Sequence, residues 1–597
     1  MKNVIFPVPC KMRVAQARVA LGGADWIVLP AGCSRRLREH IEDGAGRLSA
    51  CLNRALQIVP VVPRQGDVLL ALRLVKRGIP AQGYKLTLSD NIRRIEACDE
   101  AGLFYGYQAF RQWIEQYGNH PPVIDIEDAP DFAQRGVMLD VSRCKVPTME
   151  TCKRLIDRLA GLRINQIQLY IEHTFAFSAH QTVWADASPF THAEIMELDQ
   201  YCADRFVELV PNLNSFGHVE RWLRHPEYRH LAECPDMERC STLAPNQASL
   251  RFLEELYDEY LPCFSSSMFN VGCDETWELG KGRSKKRSAQ IGTTAVYLEF
   301  LLKIHRLVTK SAKRMQFWGD IILHQPELIA QLPKDMIALN WGYEANHPFA
   351  KQSPAFAAAG IDFYVCPGTS AWNSITGRTD NALANLALAA QHGKDNGASG
   401  YLITDWGDGG HHQVLPMSYM GFAAGAGYSW NLAANRQADL ADVVSRHFFQ
   451  DASGVLGQFL LDLGRTLNRL PGLKRGNCSA INQMLFWQPQ RLELEKVTAA
   501  QFRRAGDWLA KLEGMFPMAR PQCSDRDLVF QELRHAIASS RYALCRGQII
   551  KSGGGDKQAL AFRLRELVIS HKAQWLARNR LGGLQESEDL LRKTMVG

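Results

Sequence analysis

The sequence predicts an α/β protein: a (β/α)8 barrel preceded by a smaller α+β domain and followed by a helical region. Three observations predict it. From Arg135 onward, eight short apolar runs alternate with amphipathic helical stretches. The first run lacks the Gly-rich phosphate loop that an open, doubly wound sheet would carry. After about Arg436 the strand signal stops and the pattern is helical to the end. The expected limits are residues 1–130 for the first domain, 131–435 for the barrel and 436–597 for the helical region.

In the first domain, Asp67 to Leu72 reads as a buried strand, Tyr84 to Leu88 alternates, and Arg94 to Ala97 follows as another short strand. A helix is expected from about Leu103 to Gln116. The barrel strands begin at Gly136, Ile164, Val207, Met268, Met315, Met336, Asp362 and Gly400. Their near-continuous apolar character suits parallel strands buried on both faces. Helical stretches at 148–162, 192–205, 293–310 and 379–392 supply crossovers. Beyond the barrel, 437–449, 499–512, 524–546 and 556–578 read as helices, with Ser552-Gly553-Gly554-Gly555 as a loop between the last two. These helices are expected to pack on the barrel and to present a charged, solvated outer face.

Composition narrows the class. Hydrophobic residues at 46% and charged residues at 22% over 597 positions exclude disordered and fibrous proteins. A net charge of +7 is small for this length. The densest basic run, Lys281 to Arg287, reads as a solvated face, so no nucleic-acid partner is expected. Fifteen cysteines without a CxxC pair fit neither a disulfide framework nor a zinc ribbon. No apolar stretch approaches a membrane span and no leader pattern opens the chain, so a cytoplasmic protein is expected. No cofactor or metal is called for, and association into a homodimer stays open.

In such barrels the reactive groups sit at the C-terminal ends of the strands. That rule selects Asp140, Arg143, Glu172, His173, Asn212, Asn214 and His218 from the first three strands. It adds Asp274, Glu275, Trp318, Asp320, Trp341, Tyr343, Tyr364, Asp405, Trp406 and Asp408 from the rest. Two features stand out. Asp274 and Glu275 are adjacent, so their side chains point differently, and different surroundings can make one a proton donor and the other an ionised acceptor. Trp318, Trp341, Trp406 and Tyr364 supply flat apolar walls, which suit the C–H faces of a sugar ring. Glycosidases that use two carboxyls as separate groups need them about 5–5.5 Å or about 6.5–9.5 Å apart. Sequence-adjacent acids fit better the variant in which the sugar's own 2-acetamido oxygen is the nucleophile.

The segment Arg135-Gly136-Val137-Met138-Leu139-Asp140-Val141-Ser142-Arg143 resembles the first barrel strand of family 20 glycoside hydrolases, the β-N-acetylhexosaminidases. Asn270-Val271-Gly272-Cys273-Asp274-Glu275 is similar to their Gly-Asp-Glu signature, with cysteine where a second glycine is common. The resemblance runs from about residue 80 to residue 430, and the tail fits bacterial members with a C-terminal helical region. It implies that Asp274 orients the acetamido group and that Glu275 is the general acid and then the general base. It implies substrate-binding roles for Arg143, His218, Trp318, Trp341, Tyr364 and Trp406, with Asp408 where a glutamate is usual. Glu172 stands in for the family's sugar-binding aspartate on strand two. The expected activity is exo-acting, retaining hydrolysis of terminal non-reducing β-linked GlcNAc or GalNAc from an oligosaccharide or glycoconjugate. The alternatives are a metal-dependent barrel hydrolase using His173, His218, Asp274 and Asp408, and a non-catalytic sugar-binding barrel.

Overall fold

A computed structural model describes residues 5–61, 67–143, 145–471, 473 and 476–595. The first domain is a seven-stranded mixed sheet. Its strands are β1 (Lys11–Arg18), β2 (Ala24–Val28), β3 (Gln57–Val59), β4 (Asp67–Leu74), β5 (Tyr84–Leu88), β6 (Arg93–Ala97) and β7 (Pro122–Asp128), in the spatial order β1-β7-β5-β6-β4-β2-β3. Helices Arg35–Leu52 and Glu100–Tyr117 pack together and share its core. Asp99 caps the second helix by accepting from the Gly102 amide at 2.7 Å. This helix lies so close to the sheet that a Cβ at Gly102 would stand 2.2 Å from the Gly83 carbonyl.

Eight parallel strands form the barrel: β8 (Gln134–Asp140), β9 (Gln166–Tyr170), β10 (Glu208–Val210), β11 (Met268–Asn270), β12 (Arg314–Trp318), β13 (Ile337–Trp341), β14 (Asp362–Cys366) and β15 (Gly400–Asp405). The ring closes between β10 and β11, where the Asn270 amide donates to the Pro211 carbonyl at 2.9 Å and Leu213 donates to Asn270 at 3.0 Å. The interior departs from the apolar filling expected. Gln168 donates to Gln316 at 2.9 Å and accepts from Asn212 and Asn270 at 3.0 and 2.9 Å. The four amides are fully buried and joined through Gln168, with the Asn212 Oδ1 left without a partner among the described residues.

Two buried arginines fasten the first domain to the barrel. Arg163 pairs with Asp128 at 2.7 Å and donates to Tyr84, while Arg135 donates to the Tyr105 hydroxyl and the Phe132 carbonyl. The helical tail is fastened in the same manner. Arg578, at the end of helix Lys557–Arg578, forms a fork with Glu532 at 2.6 and 2.7 Å and reaches Asp525 at 3.0 Å. Asp525 also receives Arg158 from the first barrel helix at 2.7 Å. Beyond a solvated outer face, the tail therefore carries a buried ionic seam. Arg578→Ala leaves Glu532 buried without its counter-charge, and the expected loss is about 3–5 kcal/mol, read from urea unfolding midpoints. A change within about 0.5 kcal/mol, as at ordinary surface sites, would refute that role.

Candidate active site

The C-terminal ends of the strands surround a cavity of about 510 Å³, lined from the barrel by Arg143, His218, Asp274, Glu275, Trp318, Trp341, Gly342, Tyr343, Glu344, His347, Trp406 and Asp408, with Gly476 and Asn477 from the helical tail. Its size suits one or two sugar units.

The acid pair sits on a turn with unusual backbone. Gly272, Cys273 and Glu275 have φ of 67°, 68° and 47°. Cys273 thus occupies a left-handed position that glycine fills without strain. The Gly272 Cα faces Asn214, where a Cβ would meet Oδ1 at 2.1 Å. Gly217 is likewise required, since a Cβ there would stand 2.1 Å from the Asp274 carbonyl oxygen. Asn214 organises this turn: its Oδ1 accepts from the Cys273 amide at 3.1 Å, and its amide donates to the Tyr170 hydroxyl at 2.7 Å. The Tyr170 hydroxyl donates to Glu172 at 2.9 Å, and Glu172 pairs with Arg143 at 3.5 Å.

His218, itself at φ 52°, places Nε2 3.3 Å from both Asp274 and Glu275. Burial opposes its protonation, but the charge of Asp274 and the hydrogen bonds to both acids outweigh burial and lift His218 to about 10. The imidazolium then faces Arg143 Nη2 at 3.5 Å as a like charge rather than as an acceptor. Burial also works against ionisation of Asp274, and the His218 cation overrides it, holding Asp274 below the usual range. Asp320 lies on the other side. Burial, joined by the charge of Asp274, pushes it up to about 7. Its two oxygens accept from the Glu275 amide and from Trp341 Nε1, each at 3.3 Å.

Arg143 is set by the strand end. Asp140 Oδ1 accepts from the Ser142 and Arg143 amides at 2.9 Å, and Oδ2 accepts from Gly407 at 3.0 Å, which ties the first and last strand loops together. The guanidinium lies over Tyr170 and Trp406, at 4.7 and 5.0 Å from the ring centres. Asp408 is near it, raised by burial against the pull of Arg143. Trp341 stacks on Tyr343 with centroids 5.1 Å apart, and the Trp406 indole donates to the Tyr343 hydroxyl at 2.7 Å.

Of the residues expected from sequence, Arg143, His218, Asp274, Glu275, Trp318, Trp341, Trp406 and Asp408 converge on this cavity. Glu172 does not line it and stands behind Arg143. Tyr364 requires correction. β14 runs on to Cys366, so Tyr364 lies two residues below the rim; its ring covers Gly400 and its hydroxyl points to the Met268 sulfur at 3.5 Å, at the start of β11. The tyrosine at the cavity is Tyr343, which the strand-end rule had also selected. Asp405 turns away to accept from Thr369 and Ser418. His173 is buried outside the cavity, and burial beside Arg221 and Arg224 pushes it down to about 3. Among the described residues no group of three or more His, Cys, Asp or Glu is arranged to hold a metal ion. Gly342, Glu344, His347, Gly476 and Asn477 were not anticipated.

The model of the glycosyl hydrolase family 20 catalytic domain matches residues 132–382, and that of domain 2 of the same family matches residues 2–129. The chain belongs to glycosyl hydrolase family 20. This family 20 chain is similar to beta-hexosaminidase subunit A1 of Dictyostelium discoideum, 26% identical over 346 residues, which cover 51% of the chain and 64% of the relative. It is also similar to lacto-N-biosidase of Bifidobacterium bifidum, 22% identical over 289 residues, which cover 46% of the chain and 25% of that protein. The chain thus spans less than two thirds of the length of these relatives. In fold it matches the Flavobacterium johnsoniae chitobiase structure at 17% identity with a TM-score of 0.61, covering 99% of both chains.

Proposed function

We propose that this family 20 chain is a retaining, exo-acting β-N-acetylhexosaminidase that removes terminal β-linked GlcNAc or GalNAc with the help of the sugar's own acetamido group. One observation carries the reading: Asp274 Oδ1 is buried and has no partner among the described residues, while Oδ2 is held by His218. A buried, ionised carboxylate oxygen without a donor is costly unless a ligand supplies one, and the N–H of an acetamido group would do so. Tyr343, whose hydroxyl already accepts from Trp406, keeps its own proton for the acetamido oxygen. Trp318, Trp341 and Trp406 wall the methyl group, and Arg143 with Asp408 bind the ring hydroxyls.

In the first step Glu275 gives its proton to the glycosidic oxygen as the C1–O bond breaks. The acetamido oxygen bonds to C1 from the opposite face, and Asp274 stabilises the resulting oxazolinium cation through its N–H. In the second step water attacks C1, Glu275 takes back a proton, and the acetamido group is released with net retention. Holding an internal nucleophile in place can supply about 7–11 kcal/mol in favourable cases. Purified protein is expected to release the phenol from an aryl β-N-acetylglucosaminide; complete inertness toward it would refute the assignment. A metal-dependent route would draw on His173 as well as His218, and His173 lies outside the cavity. We place the activity in a reducing compartment such as the cytoplasm, supported by the buried, unpaired thiols of Cys152, Cys202, Cys273 and Cys366.

Asp320 gives a pH signature. It is the acid lifted to about 7, and it braces both the Glu275 backbone and the Trp341 indole. Asp320→Asn is expected to lower kcat/KM about tenfold, the worth of roughly one hydrogen bond. It should also erase an inflection near pH 7 from the pH profile of kcat/KM. An unchanged profile would show that Asp320 does not titrate in the working enzyme.

A further inference from the structure

Among the described residues the helical tail reaches the catalytic cavity at Gly476 and Asn477, and the contact is built rather than incidental. Glu344, just beyond β13, carries a carboxylate whose two oxygens are both hydrogen-bonded. Buried Arg378 grips it with two bonds, at 3.1 and 2.8 Å, and the Asn477 backbone N–H donates to it at 2.6 Å. Two residues further on, the Ser479 amide donates to the Asn373 carbonyl at 3.0 Å and its hydroxyl to the Ser374 carbonyl at 2.8 Å. The barrel side of the contact is equally fixed, since Asn385 donates to the carbonyls of Gly342 and Glu344, and Asn381 to that of Tyr343. Asn477 itself sits at φ 53°, a conformation asparagine tolerates well, and its side-chain oxygen has no partner among the described residues.

Position in the cavity says what this wall faces. The floor is buried: Trp318, Trp406 and Asp274 are at most 7% exposed. Glu344 and Asn477 are partly exposed and Gly476 is exposed, so they form the mouth. A terminal sugar occupying the floor sends its leaving group out past the mouth. Resting on the hexosaminidase reading above, we infer that the Gly476–Asn477 segment is a specificity-determining wall that receives a saccharide leaving group. The Asn477 side-chain carboxamide, whose backbone N–H is already taken by Glu344, offers a hydroxyl-bearing ring a hydrogen bond that a simple aryl group cannot return. Glu344 is a positioning residue here, because its oxygens are spent on Arg378 and Asn477. The tail is then part of the substrate site as well as a scaffold.

The test compares two substrates on the full chain: a β-linked GlcNAc disaccharide and an aryl β-N-acetylglucosaminide. Asn477→Gly keeps the left-handed backbone and its N–H and removes the side-chain carboxamide; Glu344→Gln weakens the anchor. Each is expected to lower the ratio of kcat/KM for disaccharide over aryl glycoside by about tenfold, the worth of roughly one hydrogen bond. The Asn477→Gly loss should appear chiefly in KM for the disaccharide. A ratio within twofold of the parent in both variants overturns the inference, and so does a parallel fall on both substrates. If the parent chain turns over neither substrate, the hexosaminidase reading itself fails, which is a separate result.

Discussion

Glu275→Gln is expected to lower kcat/KM toward a GlcNAc glycoside with an alkyl or sugar leaving group by about 10²–10⁴-fold, the usual contribution of a positioned acid–base group. The substitution keeps the shape of the side chain and its capacity to contact His218, which stands 3.3 Å from the carboxylate in the parent. What it removes is the proton. The loss should therefore shrink as the leaving group becomes more acidic, because a nitrophenolate departs without being protonated. A defect of the same size for acidic and basic leaving groups would mean that Glu275 does not protonate the departing oxygen.

Asp274→Asn is expected to cost about 10²–10³-fold, comparable to losing one preorganised electrostatic contact to a developing charge. Its dependence on leaving group should differ from that of Glu275, since in the proposed mechanism Asp274 acts on the acetamido nitrogen and never meets the departing oxygen. The defect should stay nearly constant from a nitrophenyl to an alkyl glycoside. The same change removes the carboxylate charge that holds His218 protonated, so the imidazole should titrate well below the value of about 10 it has beside Asp274. A His218 that keeps its high value in Asp274→Asn, followed by NMR, would contradict the His218–Asp274 ion pair described above. The stability linked to this pair follows the same sign. Because the folded pKa of His218 is raised, its contribution is fully present below the unfolded pKa of about 6.5. It fades as pH climbs toward about 10.

The barrel was legible because parallel strands buried on both faces leave eight separated apolar runs, and the acid pair because it ends one of them. Asp140 and Arg143 were readable for the same reason, since the turn that fixes them is local to the strand end. Tyr364 was misread because strand-end placement depends on where β14 stops, and two more apolar residues carry it to Cys366. A two-residue error moves a side chain one layer down the barrel, into the packed interior. The Gln168 amide cluster was hidden from hydropathy, which scores glutamine as exposed whether or not partners await it. Gly476 and Asn477 lie far along the chain from the barrel strands, and no periodicity marks a loop that reaches back to a rim. Their role depends on Glu344 and Arg378 meeting in space, which only the folded chain brings about.

A side-by-side rate measurement on aryl β-N-acetylglucosaminide and aryl β-glucoside, identical except for the 2-substituent, tests the central claim most directly. If a neighbouring amide oxygen is the nucleophile and Asp274 its holder, the glucoside should react at least about 10³-fold more slowly, since the positioned nucleophile is missing. Comparable rates on the two glycosides would show that the enzyme supplies its own nucleophile and would contradict the account.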